Sequence, residues 1–335
     1  MIHTVLGPIG ADELGVTSMH EHLLLDARIL RAPSREPLPE DPRVTLENLG
    51  FVRWNLLALE DNLVLNDDEL AVRELALAGA EGQRAVVDLT CWGLGPSPDR
   101  LPSIARATGM HVVAGCGVYL DRPHPVEVRD LDEWGVAELL RGALEDRIPG
   151  AGFRAGLIGL VGTSAPVTPA EHRVLRAAGR AAATTGAAVT VRLDPSERRG
   201  QWVLDELAGV GCAPEQVIFG NVDEFLDVGY LAALAAEGAT LELCFGNEAY
   251  YRDGYKDPTD AERLGGAIAL LEAGCADRIV LGCSVWTKSQ LRAYGGMGYA
   301  HLLRRIVPEL SRRGVGEGEL RRMLVENPAR LLDRE

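Results

Sequence analysis

The chain has 335 residues, 47% of them hydrophobic, and carries a formal charge of −15. That apolar share can fill a large core, yet no run approaches the roughly 20 consecutive apolar residues that cross a bilayer, so a membrane-spanning helix is excluded. A surface this acidic repels a phosphate backbone, which excludes nucleic acid and leaves a small molecule as the expected partner.

The opening Met1-Ile2-His3-Thr4-Val5 has neither the basic start nor the long apolar stretch of a secretory leader, which predicts a cytoplasmic protein. Six cysteines are spread along the chain, several inside apolar runs such as Val280-Leu281-Gly282-Cys283, and read as reduced, buried thiols.

One unit then repeats: a short β-branched or apolar run, a turn, and a stretch with apolar residues three and four apart. The runs fall at 16–20, 84–90, 111–118, 156–161, 188–193, 216–220, 240–245 and 278–282, with helices between them such as 169–185 and 261–274. The proline-rich, charged stretch 32–42 reads as a surface loop after the first strand. Eight strands alternating with helices predict a (β/α)8 TIM barrel over residues 1–335, a single domain with a short N-terminal extension and a C-terminal helical tail. In such a barrel the site forms where the strands end at their carboxyl side, so polar residues at those ends are the candidates.

The first strand closes on Thr17-Ser18-Met19-His20-Glu21-His22. Residues two apart on a strand project to one face, so both imidazoles can reach one ion or one substrate in the barrel mouth, while Glu21 points away and is expected to be structural. This His-x-His occurs with Val5-Leu6-Gly7-Pro8-Ile9 ahead of it and Arg154-Ala155-Gly156 at the fourth strand. Tyr294-Gly295-Gly296-Met297-Gly298-Tyr299 and Glu326-Asn327-Pro328-Ala329-Arg330 follow the eighth. The set, spread over nearly the whole chain, resembles the phosphotriesterase family of the amidohydrolase superfamily, and its lactonase-like branch in particular. The resemblance implies a homodimeric barrel hydrolase with two metal ions. Strand-one histidines hold one ion, a carboxylated lysine or glutamate from strand four bridges, histidines from strands five and six hold the other, and strand eight adds an aspartate.

Here that pattern breaks. The matching positions carry Gly159, Arg192, Asn221 and Ser284, and a guanidinium cannot ligate a metal because it has only donors and stays charged. No choice of register restores the set. Histidine is absent between His172 and His301, acids and lysine between Asp146 and Glu171, and aspartate between Asp277 and Asp333. No cofactor is therefore expected, with a single divalent ion such as zinc on His20 and His22 as the alternative.

Without a metal, His20 and His22 are candidates for general acid and base, since an imidazole titrates near neutrality. Arg192 is expected either to anchor an anionic substrate or to pair with Asp194 or Asp223, because a buried guanidinium needs an anion. Asn221 and Ser284 can orient a substrate carbonyl or merely fill vacated ligand positions. Tyr119, Tyr250, Trp286 and Lys288 lie on loops where the family lines its substrate pocket. The spacing of Cys91, Cys116, Cys244 and Cys283 matches no zinc pattern, and no signature supports a cysteine nucleophile. The expected function is a repurposed enzyme acting on a small, anionic molecule by metal-independent acid–base chemistry, as a lyase, isomerase, cyclase or acyl transferase. The alternatives are a mononuclear lactone or ester hydrolase and a non-catalytic binding protein.

Overall fold

The computed structural model describes residues 1–122, 124–247 and 257–334. Eight strands form one parallel sheet in sequence order: β1 (Thr17–Glu21), β2 (Ala85–Asp88), β3 (His111–Cys116), β4 (Leu157–Gly162), β5 (Val189–Arg192), β6 (Val217–Gly220), β7 (Thr240–Cys244) and β8 (Ile279–Gly282). Each lies within the expected run or one residue past it. Their residues are almost all buried, as in a sheet covered on both faces, which is why the runs read as continuous apolar stretches and not as alternation.

The ring closes between β8 and β1. Ser284 N donates to His20 O at 2.8 Å and His22 N donates to Val285 O at 3.2 Å. Beside this seam the buried Glu21 carboxylate accepts from Cys283 N and Val285 N, both at 3.0 Å, and from Ser18 Oγ at 2.6 Å. Gly282 permits the approach, because a Cβ there would stand 2.9 Å from His20 N. Glu21 is therefore structural, as its outward facing predicts.

Helices α1 (Asp68–Ala80), α2 (Leu101–Thr108), α3 (Glu133–Glu145), α4 (Pro169–Thr185), α5 (Gly200–Ala208), α6 (Val228–Ala236) and α7 (Asp260–Glu272) connect the strands. Local chemistry sets their ends. In α4 the Thr168 hydroxyl accepts from Glu171 N while the Glu171 carboxylate accepts from Thr168 N, Pro169 opens the first turn, and left-handed Gly186 (φ 72) stops it. Helix α7 uses the same box with Thr259 and Glu262 and ends two residues before left-handed Gly274. A hairpin pairing Ile2–Thr4 with Gly7–Ile9 precedes the barrel, and Val5 N donates to Val112 O near the start of β3. Among the described residues no helix is long and apolar enough to cross a membrane.

Candidate active site

The carboxyl ends of the strands surround a cavity of about 490 Å³. Its polar lining includes His20, His22, Tyr119, Arg192, Asn221, Ser284 and Trp286, and leucines such as Leu25, Leu94 and Leu160 supply much of the remainder. Seven of the nine residues expected at the site thus face one space.

On the side of β1, β2 and β7 lies a hydrogen-bonded relay. His20 Nδ1 is 2.6 Å from Glu242 Oε2, His20 Nε2 is 3.3 Å from His22 Nε2, and His22 Nδ1 is 3.1 Å from Thr90 Oγ1. All four side chains are buried. Burial opposes the charged form of His20, but the charge and hydrogen bond of Glu242 outweigh it and raise the pKa. Burial, then the neighbouring His20 charge, drives His22 well below its ordinary value. The two shifts run in opposite directions and favour the proton on His20 over His22. A neutral His22 with its proton on Nδ1 donates to Thr90 and leaves a lone pair on Nε2.

The side of β4, β5 and β6 is built differently. Gly159 offers no ligand, and a Cβ there would already press on Thr190 Cβ at 3.0 Å and Leu89 Cδ2 at 3.1 Å, so the space for a bridging side chain is filled. Arg192 Nη2 donates to Glu224 Oε2 at 2.5 Å, with side chains 12% and 3% exposed. Its partner is thus neither Asp194 nor Asp223. Asn221 turns left-handed (φ 53), and the short 3-10 turn that follows brings residue 224, not 223, back toward β5. Asp223 instead accepts from the buried Arg263 Nε at 2.7 Å and from Cys244 N at 2.7 Å, while Asp194 accepts from Ser196 N and Oγ.

Lys288 does not reach the cavity. Its Nζ donates to Asp61 Oδ1, and it lines a separate space of about 150 Å³ with Tyr294 and Tyr299, because the turn Lys288–Gln290 directs it toward the long connection after β1. Tyr250 lies outside the described residues. The thiols are poor nucleophiles: burial pushes Cys91 and Cys116 up to about 12 and carries Cys244 and Cys283 well above their ordinary value.

Two nitrogens each about 2.1 Å from one tetrahedral ion stand roughly 3.4 Å apart, close to the 3.3 Å between the two Nε2 atoms. A carboxylate on the far nitrogen of a ligating histidine is the usual support for such an ion, and Glu242 holds that place on His20. Glu242 Oε1 is buried and has no hydrogen-bond partner among the described residues, where Glu242, His20 and Cys244 have ligand atoms within 4.8 Å of one another. One ion fits this side. A second does not fit the other, where a glycine and a guanidinium replace its ligands.

The model of the phosphotriesterase family matches residues 1–332. The chain belongs to the phosphotriesterase family. Its similarity extends to the human N-acetyltaurine hydrolase, 31% identical over 99% of this chain and 97% of that protein. A resiniferatoxin-binding protein from Rhodobacter sphaeroides is 36% identical, covers 99% of this chain with 94% of its own, and superposes with a TM-score of 0.94. A phosphotriesterase homology protein from Escherichia coli, solved with phosphate in its active site, is 26% identical and covers 96% of this chain and all of its own, with a TM-score of 0.79. Phosphotriesterase-family barrels thus share the architecture throughout. Relatives named for hydrolysis lend no support to the expected metal-free lyase or isomerase, and favour the alternative of a hydrolase.

Sequence reasoning missed Glu242, Thr90 and Glu224. For Glu242 a signal existed: in Thr240-Leu241-Glu242-Leu243-Cys244 a lone acid stands amid an apolar run, and period two places it inward with Thr240 and Cys244.

Proposed function

We propose that this protein is a hydrolase of a small acyl compound, an amide, ester or lactone, with one divalent ion held by His20 and His22. The observation that carries the reading is the convergence of the two Nε2 atoms at 3.3 Å with Glu242 behind His20. The chemistry such an ion supplies is activation of water and polarisation of a carbonyl. Glu242 orients the His20 ring, and Thr90 fixes the His22 tautomer so that its lone pair faces the mouth. Arg192, immobilised by Glu224, brings a fixed positive charge to the side where the family resemblance implies a second ion. With Asn221 and Ser284 it can donate hydrogen bonds to the acyl oxygen, a preorganised arrangement for developing negative charge. The leucines and Trp286 give the rest of the cavity an apolar lining. Support also comes from the relatives named N-acetyltaurine hydrolase, whose named substrate joins an acetyl amide to a sulfonate.

The similarity to a resiniferatoxin-binding protein favours a second reading, a binding protein that uses the same cavity. One experiment separates the two. Protein loaded with zinc, manganese or cobalt is assayed on N-acetyltaurine, an aryl ester and a lactone, beside a His20→Ala/His22→Ala double variant. Turnover that falls by about 10²-fold or more in the variant, together with loss of a stoichiometric ion, is expected. Binding without turnover, unchanged in the variant, establishes the second reading.

A further inference from the structure

The cavity is walled by two arginines, and they are not equivalent. Arg192 lies deep, and its charge is already matched by Glu224 at 2.5 Å. Arg122 follows β3 on the same stretch as Tyr119 and Leu120, lines the same cavity and is exposed at its rim. Its backbone carbonyl accepts from Arg129 Nη2 at 3.0 Å, but among the described residues its guanidinium enters no ion pair and no hydrogen bond. The remaining acid of the lining, Asp194, lies on the loop after β5 with its carboxylate occupied by Ser196. The deep pairs His20–Glu242 and Arg192–Glu224 each bring opposite charges together, whereas the rim leaves one unmatched cation on the β3 side and one acid on the β5 side.

In a protein with a formal charge of −15, an anion approaching the mouth is repelled unless a local cation reverses the field, and an unpaired guanidinium at the rim of a low-dielectric cleft does so. The planar fork of donors also suits an oxyanion group geometrically. We propose that Arg122 is the specificity residue that selects acyl compounds ending in an oxyanion, a sulfonate, carboxylate or phosphate, seating that end at the rim while the acyl bond lies against His20 and His22. The proposal rests on the hydrolase reading for the placement of the acyl bond, and reassigns to Arg122 the anchoring that the sequence suggests for Arg192.

The test compares N-acetyltaurine with uncharged N-acetylethanolamine on wild type, Arg122→Gln and Arg122→Lys, using calorimetry for affinity and steady-state kinetics for turnover. Wild type is expected to prefer the anion, with a preference that weakens as salt is added. Arg122→Gln should cut the preference roughly tenfold, the order of one charge-assisted hydrogen bond, through KM and not kcat, and Arg122→Lys should keep most of it. Equal affinity of wild type for both compounds, binding of neither, or a preference that Arg122→Gln leaves intact overturns the proposal. Anion binding that depends on Arg122 without turnover of either compound sustains Arg122 and sinks the hydrolase reading.

Discussion

The two sides of the barrel mouth solve one problem, how to keep charge inside a protein, in opposite ways. Around β1 and β7 the charge is mobile, because His20, His22, Glu242 and Thr90 form one hydrogen-bonded chain whose imidazoles can gain and lose protons. Around β5 and β6 it is fixed, because a guanidinium that cannot lose its proton is clamped by Glu224. Under the proposed reading, one side of the mouth offers a position for an ion and the other a permanent cation, on a barrel that keeps the architecture of its family.

The largest expected effect breaks the fixed side. Arg192→Met removes the guanidinium that donates to Glu224, 3% exposed, and should lower stability in urea denaturation by on the order of 1–3 kcal/mol, the cost of losing one hydrogen bond to a charged group. Adding Glu224→Gln should recover most of that loss. A double variant no better than the single one shows that the ion pair is not what stabilises this side.

A smaller effect tests the mobile side. Glu242→Gln removes the charge that holds the proton on His20, so the pH at which His20 deprotonates, followed by NMR in metal-free buffer, should fall. Affinity for zinc should drop roughly 10–100-fold, as for other supporting carboxylates. An unmoved titration would remove Glu242 from the relay.

The smallest lies at the opposite end of the barrel and marks the limit of the comparison. Burial, followed by the charges of Arg334, Arg154 and the N-terminal amine, lowers His3 to about 4. The unfolded chain takes up that proton first, so the contribution of His3 is complete above about pH 6.5 and is lost as pH falls toward 4. Replacing it with Gln should flatten the acid limb of the denaturation midpoint between those values. An unchanged limb shows that His3 does not set the acid sensitivity.

The architecture was legible because strands buried on both faces leave continuous apolar runs, and the helices between them show apolar residues three and four apart. The facing of His20 and His22 followed from period two alone. What sequence could not show were contacts whose partners are far apart or whose parity is broken by a turn. Glu242 meets His20 across 222 positions. Glu224 replaces Asp223 as the partner of Arg192 because left-handed Asn221 resets which residue faces inward. Lys288 was misplaced for a similar reason, since a 3-10 turn carries it to Asp61.

Glu21 stands between the two histidines in sequence and on the other face of their strand, where it fastens β1 to β8 through two backbone amides. The aim of both imidazoles is consequently set from behind, by a residue that does not line the cavity. This separation of keystone from working surface lets strands four to six exchange their chemistry freely, and it recommends the barrel as a chassis: new functional groups can be written at β4 to β6 provided that Glu21 and its three donors stay in place.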